Sequence, residues 1–432
     1  MRLLLCTAGT LGDVHPVLAI AVAMQQRGHC VTVITNPAYE SACRAAGVDF
    51  APVGSAKDIE EIRSDRRAWN YMNGWKIWLK RCGVVPMREL YAAIRERHVV
   101  GETVLAGSYL AMGARVAEEH LQIPAATLHF DSHTIRTSYA VHAMPFPTFF
   151  RGMPNWCFRV SYWIADHFYI DPIVLPELNP FRLELNLPPV TRVAQGWWHS
   201  PRSILGLFPD WFCSPKPDWP PNVQLTGFPF WDRSSHEPLS ESLAEFLDHG
   251  SAPILFTPGA LGMHTRRYFA AATEACRRLG RRGLIVTHHV DLLPSPLPKF
   301  MHVESYVPFS RIMPRIAVAV HHAGIGTSAQ CLAAGIPQLV IPTLYNQPDT
   351  AGRLEALGLA KQLSPRRISA HRFEVLLREL LKPTGVAAEC QRAAKRIEGV
   401  DSIGRVCEHL EQLLSGPRTV DELRAPVGSH RP

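Results

Sequence analysis

The stretch His321-His322-Ala323-Gly324-Ile325-Gly326-Thr327-Ser328 has the residue types and spacing to hold an anion. An apolar run, Ile316 to Val320, leads into it, and a helix-like segment, Ala329 to Ala334, leaves it. A strand, a Gly-rich turn and a helix start present unpaired backbone N–H groups and the positive end of a helix dipole to a phosphate. Gly324 and Gly326 remove the Cβ atoms that would keep a phosphate from the backbone. Thr327 and Ser328 add hydroxyls, and His321 can donate a ring N–H. Beyond this helix, Gly335 to Pro342 reads as a turn and a short buried strand, followed by the polar loop Tyr345-Asn346-Gln347-Pro348-Asp349. Open α/β sheets bind ligands at the carboxyl ends of their strands. One βαβ unit therefore offers a phosphate site and, one strand away, the amides of Asn346 and Gln347 for hydroxyl groups. Together these suit a nucleotide-sugar.

The motifs 321–328, Gly335-Ile336-Pro337-Gln338, Asn346-Gln347-Pro348 and Ala351-Gly352-Arg353-Leu354 resemble the donor-binding signature of the GT-B-fold family 1 glycosyltransferases. The start, Thr7-Ala8-Gly9-Thr10-Leu11-Gly12-Asp13-Val14-His15-Pro16, is similar to the first strand–loop–helix of the bacterial branch. Within that branch the chain looks most like the rhamnosyltransferases of rhamnolipid biosynthesis. Trp197-Trp198-His199-Ser200-Pro201, Leu225-Thr226-Gly227-Phe228-Pro229 and Tyr306-Val307-Pro308 carry that likeness, which runs in order from residue 1 to about residue 410.

The resemblance implies an inverting hexosyltransferase in which a base takes the acceptor proton while a diphosphate departs. It places a catalytic Asp or His where this chain has Asp13, in the Gly-rich loop that includes Gly12. Asp13 also reads as an ordinary helix N-cap. His15 is an alternative base or a solvated first-turn residue, and Asp131 a candidate orienter. Donor contacts are expected from Thr257, Gly259, Val307, His321, Gly324, Gly326, Thr327, Ser328, Asn346 and Gln347. The chain departs from the pattern twice. Asn346 stands where the family usually has Asp, and Ala323 where it often has Gly, which is tolerable if φ there is negative. The sequence contains no Asp-x-Asp, so no metal site and no cofactor is expected. His321 and the backbone of 324–328 would take the metal's place on the diphosphate. His129 and His133 are spaced as H-x₃-H, but at a strand end this spacing does not put both rings on one face.

These groups need a parallel scaffold. Residues 2–7, 30–35 and 48–53 read as strands alternating with helices 15–27 and 37–46, the pattern of a doubly wound α/β sheet. Strands at 125–130 and 203–208 complete this half. A second α/β half restarts at 253–257, with helix 264–279, strand 283–287 and closing helices over 389–414. The expected organisation is GT-B: an acceptor domain at 1–220, a Pro-rich linker at 221–240, a nucleotide-sugar domain at 241–415 and a disordered tail at 416–432. Two segments break the βαβ rhythm. Met72, Trp75, Leu79 and Cys82 recur at helical spacing within 62–91, and Phe149, Phe150, Trp156, Phe158, Tyr162, Trp163, Phe168 and Tyr169 crowd 149–170. Both read either as helices packed on the first domain or as an aromatic-lined acceptor pocket or membrane-facing lip.

The chain of 432 residues is long enough for two cores, and its 47% hydrophobic and 19% charged content is that of a globular enzyme. A net charge of +7 without a long Lys/Arg run implies general attraction to anions rather than a nucleic-acid partner. Ten cysteines without CxxC or zinc spacing suit reduced thiols in the cytoplasm. There is no signal-peptide pattern and no apolar run long enough to span a membrane, so peripheral contact at the inner membrane face stays open. The expected partners are a nucleotide-sugar donor, dTDP-rhamnose by resemblance, and a hydrophobic hydroxyl acceptor of hydroxy-fatty-acid type. The alternative is a UDP- or dTDP-sugar transferase acting on a sterol or secondary metabolite. A GT-B sugar-nucleotide epimerase and a non-catalytic binding partner are weaker readings.

Overall fold

The computed structural model describes residues 1–70, 73–139, 153–231, 239–259, 265–344 and 346–415. The expected tail at 416–432, part of the expected linker, and Met72, Phe149 and Phe150 lie outside them. Among the described residues two all-parallel sheets form the frame, one of seven strands and one of six. The first contains β1 (Arg2–Cys6), β2 (Cys30–Thr35), β3 (Asp49–Pro52), β4 (Thr103–Ser108), β5 (Ala125–His129), β6 (Ser203–Gly206) and β7 (Val223–Leu225). Their spatial order is β3-β2-β1-β4-β5-β6-β7. The second contains β8 (Ile254–Thr257), β9 (Gly283–Val286), β10 (Met301–Glu304), β11 (Val318–His321), β12 (Gln338–Val340) and β13 (Ala360–Gln362), in the order β10-β9-β8-β11-β12-β13. This is a two-domain α/β architecture of the GT-B type.

Composition explains the strand positions. β1 is a continuous run, Leu3-Leu4-Leu5-Cys6, buried throughout, as a central strand covered on both faces must be. Leu3 and Leu5 face one apolar cluster and Leu4 and Cys6 the other. Strand order reverses direction between β1 and β4 in the first sheet and between β8 and β11 in the second. Crevices for ligands open at such reversals, beyond the carboxyl ends of the strands. The Asp13 loop follows β1, and the 321–328 loop follows β11.

Some elements depart from the sequence expectation. The expected linker begins inside the first sheet, because β7 pairs with β6 as its edge strand. β4, β10 and β13 were not anticipated. In β4 only Val104-Leu105-Ala106 is apolar before Gly107, the alternation of β10 lasts four residues, and β13 is three residues long. Helix Ser402–Ser415 lies in the segment assigned to the second domain but packs on the first. Its Val406, Cys407 and Leu410 join the cluster around Leu3 and Leu5, and Arg27 donates to Glu411 at 2.6 Å. The chain crosses between domains twice, at 226–231 and 398–401, where a Cβ at Gly227 (φ +99°) would lie 2.4 Å from Ser402 Oγ. A third apolar cluster joins the halves, with Ile135, Phe208, Phe212 and Phe228 against Ala323, Ala329, Leu332 and Leu354. Among the described residues no helix is long and apolar enough to cross a membrane.

Candidate active site

In the first crevice, Thr10 rather than Asp13 is the N-cap of helix Leu11–Gln26; Asp13 is the third helical residue and completes a capping box. The Thr10 backbone N–H donates to Asp13 Oδ2 at 2.7 Å and the Thr10 hydroxyl at 3.0 Å, while Gly12 N–H donates to the Thr10 hydroxyl at 3.2 Å. This fixes the carboxylate at the mouth of the crevice. Gly9, at φ +125°, makes room for it, since a Cβ there would lie 2.4 Å from Asp13 Oδ2. Burial raises the Asp13 pKa from 3.8 to about 6; the Thr10 hydrogen bonds oppose the shift and the nearby charge of Asp131 adds to it. Asp13 is thus a carboxylate that takes a proton more readily than usual and is ionised at neutral pH. His15 is half-buried on the same helix.

In the second crevice, β8 and β11 run side by side with Thr257 opposite His321. The phosphate donor expected of His321 is engaged elsewhere. His321 is fully buried, its Nε2 bonds to Gln338 Oε1 at 2.9 Å, and its Nδ1 accepts from Ala323 N–H at 3.1 Å. Because the amide oxygen only accepts, Nε2 carries the proton and the ring is neutral, in keeping with a pKa pushed by burial down to about 3. The bond to Ala323 helps turn the loop, and Ala323 sits at φ +64°, outside the negative φ at which an Ala in place of Gly would be tolerable.

His322 is the ring that the sequence reading passed over. It is half-buried, and its ring fills the space above Gly259 and Gly324. A Cβ at Gly259 (φ +63°) would lie 2.4 Å from Nδ1, and one at Gly324 2.5 Å from Nε2. Nδ1 is buried with no hydrogen-bond partner among the described residues. Burial lowers its pKa to about 4, with the Thr257 backbone opposing the shift. A clue was present in the sequence: side chains alternate along a strand, so of two adjacent histidines at its end one faces the core and the other the crevice.

Helix Ile325–Ala333 begins at Gly324. The N–H groups of Ile325, Gly326 and Thr327 occupy its first turn, where intrahelical partners are lacking. Ser328 is spent internally: its hydroxyl and its N–H both bond Gly324 O at 2.9 Å. The Val307 side chain is buried in a core cluster with Leu255 and Ile312 and presents no polar group.

The sugar-binding pair also differs from expectation. Gln347 Oε1 turns into its own loop, accepting from Thr343 N–H and Oγ1 at 2.9 Å and from Leu344 N–H at 3.0 Å. Asn346 reaches across to the first domain and donates through Nδ2 to Asp131 Oδ2 at 2.6 Å. Asp131 also holds His133 by its backbone N–H, at 3.2 Å, and by its ring. One residue on, the Ser132 hydroxyl donates to Asp349 Oδ2 at 3.1 Å, and Arg353 Nε donates to the same oxygen at 2.8 Å. Asp349 and Arg353 fall in the expected donor motifs without a role of their own, and Ser132 had none. His129 bonds Thr134 and His199, away from His133.

Phe158 and Tyr162 are buried, whereas Trp156, Trp163, Phe168 and Tyr169 are exposed, Trp156 by 64%. Lys76 Nζ lies 4.9 Å above the Tyr169 ring.

Residues 3–140 match the glycosyltransferase family 28 N-terminal domain, and residues 284–411 match the erythromycin biosynthesis protein CIII-like C-terminal domain. The O-mycaminosyltylonolide 6-deoxyallosyltransferase of Streptomyces fradiae is 25% identical, with 95% of this chain and 97% of that protein covered. A sterol 3-beta-glucosyltransferase of Arabidopsis thaliana is 27% identical over 99% of this chain and 68% of its own length. The spinosyn rhamnosyltransferase SpnG, solved with thymidine diphosphate, superposes with a TM-score of 0.66 at 19% identity, covering 95% of this chain and all of its own.

Proposed function

We propose that this protein, a nucleotide-sugar glycosyltransferase of the GT-B type, moves a 6-deoxyhexose from a dTDP donor to a hydroxyl of an apolar acceptor, inverting the anomeric carbon. The observation that carries this reading is the pairing of two crevices. One offers a fixed carboxylate of raised pKa, the other a helix N-terminus beside a neutral His with an unpartnered buried nitrogen. In the reaction, Asp13 takes the proton of the acceptor hydroxyl as its oxygen attacks the anomeric carbon. The bond from that carbon to the diphosphate breaks, and the diphosphate leaves with the electron pair. The N–H groups of 325–327 and the His322 ring receive its charge. Such donors, set in place before the reaction, need not reorganise as charge develops, and no metal is required. Two carboxylates cannot share a hydrogen bond while both are ionised. Asp131 therefore acts on Asp13 through its charge, raising proton affinity, rather than as an orienter.

For the sugar, rhamnose is favoured by the chain's resemblance and by the names of two similar proteins, which transfer rhamnose and 6-deoxyallose. For the acceptor, the exposed aromatics of 156–169 favour a large apolar molecule such as a hydroxy-fatty-acid lipid. The similar sterol glucosyltransferase supports a second reading, a UDP-sugar transferred to a sterol or polyketide. Calorimetry with dTDP-rhamnose, UDP-glucose and UDP-N-acetylglucosamine separates them. Preference for dTDP-rhamnose, followed by transfer to a hydroxy-fatty-acid lipid, is expected. Preference for a UDP-sugar discards the rhamnosyl reading in favour of the second.

A further inference from the structure

The Asp131–Asn346 bond joins residues 215 positions apart, one in each domain. Asp131 is close enough to Asp13 for its charge to be felt there, and Asn346 begins helix Gln347–Ala356 of the donor domain. A group between the base and the departing diphosphate is the sugar itself.

We propose that Asp131 is a specificity-determining residue for the donor, forming with Asn346 a composite sugar-hydroxyl site that neither domain holds alone. The proposal rests on the nucleotide-sugar reading above and deepens it. A carboxylate can only accept, so the 2.6 Å contact fixes the Asn346 amide with Nδ2 toward Asp131 and Oδ1 turned away. Asp131 Oδ2 retains a second lone pair. The pair therefore presents two oxygen acceptors at either end of the Asn346 amide, one anionic and one neutral, which can receive two hydroxyls of one sugar. Charge-assisted bonds to such hydroxyls are the stronger kind. An Asn at 346 alone could not supply one; here the acceptor domain brings the charge. A second contact fixes the register, because Ser132 bonds Asp349 and Arg353 braces that carboxylate from behind. The composite site exists only with the cleft closed in this register, so donor choice and domain closure depend on the same bond.

The test compares binding of dTDP with binding of dTDP-rhamnose, UDP and UDP-glucose by calorimetry on the full chain. Variants are Asp131→Asn, Asn346→Asp and the exchange of both. Each single change is expected to weaken the sugar nucleotide about ten- to a hundredfold relative to its nucleoside diphosphate, with the diphosphate itself unchanged within about twofold. The double exchange restores a carboxylate facing an amide with the ends reversed, and should recover most of the loss. That recovery also separates the role from misfolding, which no exchange would rescue. If Asp131→Asn leaves the ratio unchanged, or the double exchange is as weak as the two losses combined, the composite site is overturned while the nucleotide-sugar reading stands. A wild-type chain that binds neither dTDP nor UDP overturns both.

Discussion

The crevice after β1 and the crevice after β11 open at the strand-order reversals of two similar sheets, one from each side of the reversal, yet they are furnished in opposite ways. The first holds a charged side chain whose environment disfavours its charge. The second holds backbone N–H groups and a neutral ring, with no charged side chain in the 321–328 loop. Glycine serves both but for different guests: Gly9 gives way to the Asp13 carboxylate, while Gly259 and Gly324 give way to the His322 ring. A shared scaffold thus divides the reaction, with proton transfer on one sheet and anion reception on the other. Variants on one side should therefore alter pH dependence and rate, and variants on the other should alter nucleotide affinity.

The sharpest break is Asp13→Asn. The amide oxygen can still accept from Thr10 N–H, so the cap and the fold should survive. Transfer should fall by about 10²–10⁴-fold, with dTDP binding unchanged in calorimetry. In the wild type, kcat/KM should decline as pH falls through about 6, because protonated Asp13 cannot take the acceptor proton. The variant's residual activity should lack that acid limb. An unchanged limb would remove Asp13 from the chemistry.

On the opposite side, His322→Ala should weaken dTDP about ten- to a hundredfold, the range for a hydrogen bond to a charged group. Gly259→Ala should act in the same direction, since its Cβ would displace the ring. Neither should move the acid limb. His321→Ala, one residue away, should behave differently. It leaves Gln338 Oε1 and Ala323 N–H without their partner in a buried setting, at about 1–3 kcal/mol for each group. Denaturant unfolding should report that loss, and nucleotide affinity should fall only as far as the loop relaxes. If His321→Ala proved stable but unable to bind dTDP, the roles of the two rings would be reversed.

The two histidines also mark where the sequence stopped being legible. Both crevices, the anion loop and Asp13 could be found from local patterns, because an apolar run, a glycine turn and a helix start are written in consecutive residues. Choosing between His321 and His322 required the strand register that places Gln338 on the same face as His321. Helix Ser402–Ser415 carried a clear amphipathic pattern, but nothing local says which domain receives its apolar face. β7 is three residues in a Pro-rich stretch and exists only because β6 offers an edge. The Asp131–Asn346 bond is a tertiary event and left only one trace, the Asn found where the resemblance led one to expect Asp.

Ala323 offers the finest test of how tightly the donor loop is set. At φ +64° a residue with a Cβ carries a strain of about 1–2 kcal/mol, which Gly would release. Ala323→Gly also frees the unfolded chain, at about 0.5–1 kcal/mol, and removes a buried methyl from the interdomain cluster, at about 0.8 kcal/mol. The terms nearly cancel, so unfolding free energy should change by less than about 1 kcal/mol, the smallest effect in the series. Nucleotide affinity should stay within a few-fold, because the turn is held by the His321–Ala323 bond as well as by the φ preference. A gain well above that limit would mean that strain dominates and the methyl packs against little. A loss above it would mean that the methyl helps lock the second crevice onto the first domain, making the loop part of the hinge as well as of the anion site.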